Sequence, residues 1–326
     1  MKLGLVNLVV CFLIALIISP VIIKELYKLK FGQNILIYVE KHKQKNGTAT
    51  MGGLIFLISG IVGYFIFFNK NNRLATMALI SFVFFGVLGF LDDFIKIKFK
   101  QNEGLKPYQK IIGQVGISII LAVFVYKSSL VGATCNIPFT TKTIDLGYFI
   151  IPFVIFVYLA IVNSVNLIDG LDGLCGGVST FVIIAMSILI AIISKDYTGV
   201  SAEEINNLNI FSLGVAGAVM GFLCFNCYPA KVFMGDTGSL ALGGVIASMT
   251  IFSKNYFLIM IIGIMYVLTS LSVILQVLSY KLTHKRIFKM SPLHHHLEQS
   301  IHETKVVAIY IIVTIIISVL TISLYL

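Results

Sequence analysis

Long apolar stretches recur along the whole chain, and they restrict the possible fold more than any other feature of the sequence. Segments such as 148–162 and 306–326 are apolar on every side rather than along one face. A helix of this kind is either buried in a large core or spans a membrane. Charged residues make up only 12% of the chain, about half the fraction usual in soluble proteins. The sequence therefore predicts an all-α, polytopic integral membrane protein and disfavours a large soluble helical bundle.

Ten segments are predicted to be transmembrane helices from their length and hydropathy. We expect them near 3–23, 51–68, 75–91, 111–126, 148–165, 175–194, 209–225, 240–253, 256–282 and 305–325. The ninth is long enough to be tilted or broken. The first resembles a signal peptide, but it is too long and lacks a small-residue cleavage site, so we predict a retained helix. Residues 1–326 are predicted to form a single integral membrane domain.

Lysine and arginine are distributed unevenly between the two sets of loops. Seventeen lie in or beside the loops at 24–50, 92–110, 226–238 and 279–305, and seven lie on the opposite side. The positive-inside rule puts the richer set in the cytoplasm and both termini on the extracytoplasmic side. The net charge of +10 is then mainly a signal of topology. Nucleic-acid binding is disfavoured because the lysines are scattered and accompany no recognisable module.

Two adjacent acids end the third apolar segment, in "GFLDDFIKIK" at 89–98. Lys96 lies four residues after Asp92 and three after Asp93, which is close enough for pairing if the helix continues. A polar stop with lysine as counter-ion is one interpretation. However, a carboxylate at membrane depth is unfavourable, and lysines normally mark the cytoplasmic ends of spans. Both aspartates are therefore also candidates for catalysis.

A second polar stretch, "NSVNLIDGLDGLCGG" at 163–177, carries Asn163, Asn166, Asp169 and Asp172 at every third position. On a continuous helix these side chains would share one broad face. The glycine that follows each acid favours a tight loop leading into the next helix instead. Capping that helix would need only one or two such residues. Four of them indicate contacts with a ligand.

A third acid, Asp236, lies in the glycine-rich stretch "NCYPAKVFMGDTGSLALGG" at 226–244. A glycine turn that leads into a helix presents backbone N–H groups and the positive end of the helix dipole, which suits a phosphate. Simple capping of the helix by Asp236 or Thr237 is the alternative interpretation.

Two further features are candidates for ligand contacts. "KNGTATMGG" at 45–53 offers the charge of Lys45, the hydroxyl of Thr50 and glycines that permit close backbone approach. Gln276 is a lone amide inside the ninth apolar segment, where it should face protein or a cavity rather than lipid. A hydrogen bond between helices or a ligand contact would satisfy it, and the former is slightly favoured.

Three consecutive histidines, His294, His295 and His296, occur in "SPLHHHLE" at 291–298. They cannot all point the same way on a helix or a strand. A zinc site would more often space its histidines as in H-E-x-x-H. Hydrogen-bond donors beside a phosphate are one interpretation, and a loop that folds over a ligand is another.

Acids at helix ends, glycine turns and nearby lysines together describe a site for a magnesium-bound phosphate ester. Mg²⁺ prefers oxygen ligands and commonly binds one or two carboxylates plus substrate phosphates, and it offsets repulsion among aspartates. Because the site adjoins the membrane, one substrate is expected to be a lipid. A transporter is the alternative class, but it would place ionisable residues near the middle of the bilayer, whereas these acids cluster at one face.

Five motifs occur in an order that resembles one enzyme family over nearly the whole chain. They are "GTATMGG", "FLDDFIK", "NSVNLIDGLDGL", "NCYPAKVFMGDTGS" and "PLHHHLE", and they resemble the polyprenyl-phosphate N-acetylhexosamine-1-phosphate transferases. The unsplit "LHHH" is most similar to members that use a muramyl substrate. Members that use GlcNAc usually have a split H-x-H-H and are the alternative. Ala49 replaces the family's usual proline, which loosens that turn but removes no reactive group.

The resemblance implies a particular reaction. Phospho-MurNAc-pentapeptide would pass from UDP-MurNAc-pentapeptide to undecaprenyl phosphate, giving lipid I and UMP in peptidoglycan synthesis. It also implies Mg²⁺ as cofactor, a homodimer, and a place in the bacterial cytoplasmic membrane with the active site facing the cytoplasm.

The resemblance also implies catalytic roles for several residues. Asp236 would be the best magnesium ligand, with Asn166 or Asp169 as a second. Asp92 and Asp93 would activate the prenyl phosphate, although a phosphate monoester is largely a dianion at pH 7 and does not strictly need a base. Direct transfer and a covalent aspartyl phosphate both remain open.

Other residues are implied to bind substrate. Phe233 would stack on uracil. The nucleoside or its phosphates would be contacted by Asp172, Lys45, Thr50 and Gln276. The sugar or diphosphate would be contacted by His294 and His295, with His296 beside them.

Overall fold

The computed structural model of the chain describes residues 1–28, 47–99, 104–195 and 197–326. The fold is 75% helical. The α-helices within the described residues are α1 (Lys2–Lys28), α2 (Gly53–Ile66), α3 (Arg73–Lys98), α4 (Pro107–Lys127), α5 (Ile150–Leu167), α6 (Leu174–Ile193), α7 (Gly199–Asn226), α8 (Gly235–Phe252), α9 (Leu258–Ile262), α10 (Ile264–Thr283), α11 (Leu293–Glu298) and α12 (Glu303–Ser323). A 3₁₀ turn at Gly147–Phe149 leads directly into α5.

The predicted apolar segments all contain helices, and the chain is a polytopic, helical membrane protein. Eight helical segments of the described chain are long and apolar enough to cross a membrane: α1, α3, α4, the 3₁₀ turn with α5, α6, α7, α10 and α12. The second predicted span corresponds to α2, which has only 14 residues. The eighth corresponds to α8, whose glycine and hydroxyl residues lower its hydropathy. The total of ten transmembrane helices and the extracytoplasmic location of both termini remain predictions.

The structure decides one point that the sequence left open, and it differs from the sequence-based expectation in three others. The ninth segment is broken at Gly263, between α9 and α10, and glycine is a poor helix former. The loop before α5 contains a small antiparallel hairpin of β1 (Thr134–Asn136) and β2 (Thr143–Asp145), in which Cys135 pairs with Ile144. Helix α7 begins about three turns before the predicted 209. Helix α8 begins at Gly235 rather than 240, so Asp236 lies inside its first turn.

Helix α8 lies at the centre of the bundle. Every residue from Thr237 to Phe252 is buried, and α8 packs against α2, α3 and α5. Small residues allow this close packing, as is usual between membrane helices. At Gly89 of α3 an added Cβ would overlap the backbone carbonyl of Asp236. The two backbones can therefore meet only because this position has no side chain.

Six helix ends meet at one end of the bundle. They are the C-terminal ends of α3, α5 and α7 and the N-terminal ends of α4, α6 and α8, as antiparallel neighbours require. Contacts between side chains join them: Lys96 and Asn166 reach Asp236, and Asp172 accepts a hydrogen bond from the backbone N–H of Ala230. The central helix thus begins where the polar ends of its neighbours converge.

The close approach of α3 to α8 can be tested with Gly89→Ala. The new methyl group must push the two backbones apart, so we expect destabilisation of about 1–3 kcal/mol, seen as a lower thermal unfolding temperature in detergent. Gly116→Ala is the matched control, since Gly116 is helical and an added Cβ would meet no atom within 4 Å. Equal unfolding temperatures for the two variants would contradict the packing described here.

Candidate active site

The carboxylate of Asp236 is held by side chains from three other helices. Its Oδ2 lies 2.8 Å from Lys96 Nζ of α3 and 2.8 Å from Lys110 Nζ of α4. Its Oδ1 accepts a 2.6 Å hydrogen bond from Asn166 Nδ2 of α5. The side chain of Asp236 is 17% exposed. A carboxylate this deep requires compensating partners, and both of its oxygens have them.

Asp93 supplies the negative charge at the N-terminus of α8. Its Oδ1 accepts a hydrogen bond of 3.2 Å from the backbone N–H of Asp236. Its Oδ2 accepts bonds of 2.9 and 2.7 Å from the backbone N–H and the hydroxyl of Thr237. An anion here satisfies orphan donors and opposes the helix dipole. The alternative interpretation, in which Asp236 or Thr237 caps this helix, is therefore wrong, because an aspartate from α3 accepts these hydrogen bonds.

Gly235 makes this cap possible. Its φ of 74° lies in the left-handed region, which favours glycine. A Cβ there would lie 2.5 Å from Asp93 Oδ2 and 3.0 Å from the hydroxyl oxygen of Thr50. The predicted substrate-binding Thr50 is thus buried beside the start of α8.

Asp92 has a different environment from its neighbour. Its Oδ1 accepts a 2.9 Å hydrogen bond from the backbone N–H of Leu105. Its Oδ2 lies 2.6 Å from Lys96 Nζ, which confirms the pairing predicted from their spacing. Lys96 also approaches Asp93, at 3.9 Å. Asp92 thus turns toward the ammonium groups, whereas Asp93 turns toward the backbone of α8.

Asp92, Asp93 and Asp236 could together hold a metal ion. One oxygen from each can be chosen so that all three lie within 4.8 Å of one another. Oxygen donors of this kind suit a hard divalent cation such as Mg²⁺. The ammonium group of Lys96 already bridges Asp92 and Asp236, which shows that a cation is accommodated between these carboxylates. The residues present therefore fit the predicted metal.

Asp169 lies next to this cluster, in the tight loop predicted between α5 and α6. Burial raises the pKa of the Asp169 carboxyl well above its usual range, and the nearby charges of Asp236, Asp93 and Asp172 act in the same direction. The Asp169 carboxyl therefore favours its neutral form in this environment.

Two of the three histidines pack against the same loop. An added Cβ at Gly170 would overlap His294 Nε2 and lie 3.1 Å from His295 Nε2. Burial and the neighbouring His295 lower the pKa of His294 to about 3, against the opposing effect of Glu298. His294 is therefore neutral at pH 7. It is only 1% exposed, and neither of its ring nitrogens has a hydrogen-bond partner among the described residues. A buried, unpaired imidazole suits a ligand contact.

The segment before α8 is fixed from two sides. Asn226 accepts a hydrogen bond from the backbone N–H of Gly173 and donates one to the carbonyl of Val232. The backbone N–H of Phe233 donates to the carbonyl of Ala49. The backbone beside Phe233, whose side chain is half-buried, is therefore tied to the loop that contains Asp172.

The remaining predicted residues lie elsewhere or could not be placed. Gln276 accepts hydrogen bonds from the backbone N–H groups of Ile287 and Phe288 and donates one to the carbonyl of Phe288, so it fixes a loop rather than joining two helices. His296 Nδ1 accepts a bond from the backbone of Lys289. Lys45 lies outside the described residues.

Sequence reasoning missed Lys110 as a member of the site. It appeared only as one of many cytoplasmic lysines, and nothing local connects it with Asp236, which lies 126 positions away. Ser239 was missed as well, although it accepts a 2.8 Å hydrogen bond from Asn166. Its position in the first turn after "GDTG" was the available signal.

The fold and the site define a membrane protein with an acidic, lysine-bridged cluster at one end of its helical bundle. The sequence profile described as glycosyl transferase family 4 matches residues 74–254, and the chain belongs to this family. It is 45% identical over 318 residues to a protein of Clostridium novyi (strain NT) named phospho-N-acetylmuramoyl-pentapeptide-transferase, covering 97% of this chain and 95% of that relative.

Two further relatives carry the same name. One, from Clostridium perfringens (strain 13 / Type A), is 46% identical over 95% of this chain and 94% of its own length. The other, from Thermoanaerobacter sp. (strain X514), is 45% identical over 94% of each chain. The similarity thus extends over nearly the full length of all three relatives.

The capping role of Asp93 predicts a stability effect that does not depend on activity. Asp93→Ala would leave the donors of Asp236 and Thr237 without their acceptor, which costs about 1–3 kcal/mol. We expect a lower unfolding temperature in detergent. Glu25→Ala is the control, since Glu25 is an exposed acid on α1, and it should unfold as the unmodified protein does. An unchanged unfolding temperature for Asp93→Ala would contradict the capping role.

Proposed function

We propose that this chain transfers phospho-MurNAc-pentapeptide from UDP-MurNAc-pentapeptide to undecaprenyl phosphate, releasing UMP and forming lipid I. The protein would lie in the bacterial cytoplasmic membrane. Its site would face the cytoplasm, which contains the nucleotide substrate. The observation that carries the proposal is the cluster of three aspartates and two lysines at one end of a membrane bundle. Its support comes from relatives about 45% identical whose name describes this transfer. The homodimer stays a prediction.

Asp236 and Asp92 are the residues best suited to hold Mg²⁺, with Asn166 and Asp169 close by. When bound, the ion would supply positive charge to the diphosphate oxygens of the nucleotide. Lys96 and Lys110 lie on the same side of Asp236 and can neutralise further negative charge on the transferred phosphoryl group. Such charge compensation is the main requirement of phosphoryl transfer.

The nucleotide would lie along the loops beside this cluster. Phe233 offers an aromatic face for uracil, and its backbone N–H is held by the carbonyl of Ala49. Asp172 accepts a hydrogen bond from the backbone N–H of Ala230. Its carboxylate would suit a hydroxyl or an imide N–H of the nucleoside. His294 and His295 lie over Gly170, where they could donate hydrogen bonds to the sugar or diphosphate.

Asp92, rather than Asp93, is the better candidate to contact the attacking phosphate. Both oxygens of Asp93 accept hydrogen bonds from the start of α8, so that a change in Asp93 would disturb the helix itself. Asp92 Oδ2 instead faces Lys96. In a direct transfer, an oxygen of the prenyl phosphate forms a bond to the sugar-bearing phosphorus, and the bond from that phosphorus to UMP breaks. The prenyl phosphate is largely a dianion with no proton to lose, so Asp92 would orient it through the ammonium group of Lys96 rather than act as a base.

The proposal is tested by incubating the purified protein with undecaprenyl phosphate, Mg²⁺ and either UDP-MurNAc-pentapeptide or UDP-GlcNAc, and measuring UMP. We expect release with the muramyl substrate only, and loss of release when the metal is chelated. Release with UDP-GlcNAc alone would contradict the proposed substrate while keeping the reaction type. No release with either nucleotide would contradict the function.

The role of Asp236 predicts a specific loss of turnover. Asp236→Asn keeps the shape of the side chain but removes one of the charges that face Lys96, Lys110 and the metal. We expect UMP release to fall by about 100- to 1,000-fold, with the Mg²⁺ requirement shifted to higher concentration. Asp145→Asn, on the exposed strand β2, should retain full activity. Normal turnover by folded Asp236→Asn would contradict the assignment.

A further inference from the structure

The last turns of α5 connect three neighbouring helices. Asn166 donates hydrogen bonds to Asp236 and Ser239 of α8. The hydroxyl of Ser270 in α10 donates a 2.8 Å hydrogen bond to that of Ser164. Asn163 instead bonds to Gln114 of α4. The proposed chemistry uses Asn166 but gives no role to Asn163, although both belong to the same polar stretch.

Asn163 and Gln114 exchange hydrogen bonds through their side-chain amides. Asn163 Nδ2 donates to Gln114 Oε1 at 2.7 Å, and Gln114 Nε2 donates to Asn163 Oδ1 at 3.2 Å. Asn163 Nδ2 also donates to the carbonyl of Leu159 in its own helix, at 2.8 Å. Gln114 is completely buried. Each amide therefore satisfies the other in a place where an unpaired amide would be unfavourable.

Helix α4 lies at the edge of the bundle, so its position depends more on single polar contacts than the position of a central helix does. Only 28% of its most apolar stretch is buried, so most of its surface faces outward. In the part of the chain that the structure describes, the Gln114–Asn163 pair provides the only hydrogen bonds between side chains of α4 and α5. Lys110 lies four residues before Gln114, about one turn away. The same peripheral helix thus carries a cation of the site and the amide that fixes the helix.

The contacts around Asp236 and the Gln114–Asn163 pair lie on the same two helices, α4 and α5. Lys110 and Asn166 hold opposite oxygens of Asp236, and each lies about one turn from its own member of the amide pair. A shift of α4 along α5 would therefore move Lys110 relative to Asn166 and Asp236. Displacements of about 1 Å can reduce turnover by about 100-fold.

We propose that Gln114 and Asn163 are positioning residues that set the place of Lys110 opposite Asp236. This inference rests on the proposed transferase function. The pair contacts none of the reacting groups and acts through the register of α4 on α5. It accounts for the first asparagine of the "NSVN" stretch, which a ligand-binding role does not require.

The test shortens the side chain of Gln114 by one methylene group and then restores the combined length of the two side chains by lengthening Asn163. Gln114→Asn should lower kcat for UMP release by about 10- to 100-fold, with the KM for UDP-MurNAc-pentapeptide nearly unchanged, because Lys110 is misplaced while the nucleotide loops are intact. The exchanged pair, Gln114→Asn with Asn163→Gln, should recover most of the lost kcat. Unfolding temperatures in detergent are measured for every variant.

Ser118→Ala is the matched control. Ser118 is also completely buried on α4, but its hydroxyl donates only to the carbonyl of Gln114 in the same helix, so kcat should not change. Wild-type kcat in Gln114→Asn would overturn the inference. So would a loss that the exchanged pair does not recover and that follows the fall in unfolding temperature. Absence of UMP release from the unmodified protein would instead contradict the proposed function and remove the basis for this inference.

Discussion

The carboxylate of Asp236 is the group around which the rest of the site is arranged. It begins a helix that is buried on all sides, and there a negative charge is tolerated only with partners of opposite charge or with hydrogen-bond donors. Lys96, Lys110 and Asn166 supply them from three different helices. The C-terminal ends of α3 and α5 and the N-terminal end of α4 must therefore lie level with the N-terminal end of α8 along the bundle. One buried charge thus fixes the relative positions of four helices.

The two adjacent aspartates of α3 have different partners and therefore different roles. Asp93 satisfies the first backbone donors of α8 and so fixes the direction in which that helix begins. Asp92 is bonded to the start of the segment before α4 and to Lys96, which leaves it next to the cations. Adjacent positions on a helix point about 100° apart, so one Asp-Asp pair can serve a structural and a chemical role at once.

Much of the fold could be predicted because its determinants are local. The length of the apolar runs predicted the helices, the spacing of Lys96 from Asp92 predicted their ion pair, and glycines after both acids predicted the loop between α5 and α6. The site depends instead on contacts between distant parts of the chain. Neither the pairing of Lys110 with Asp236 nor the capping of α8 by Asp93 has any signature in the neighbouring sequence. Local reasoning could offer only Asp236 or Thr237 as alternative capping residues for that reason.

The formal charges of the cluster indicate the order in which its ligands are favoured. With every group ionised, the three carboxylates and two ammonium groups would leave a formal net charge of −1. The cluster therefore still attracts a cation, despite its two lysines. With a divalent ion present the net charge becomes +1, which attracts a diphosphate. Lysines alone would bind phosphate without a metal, and aspartates alone would repel it. If the proposed metal binds, the combination would make anion binding depend on it, because the fold already positions both sets of charges.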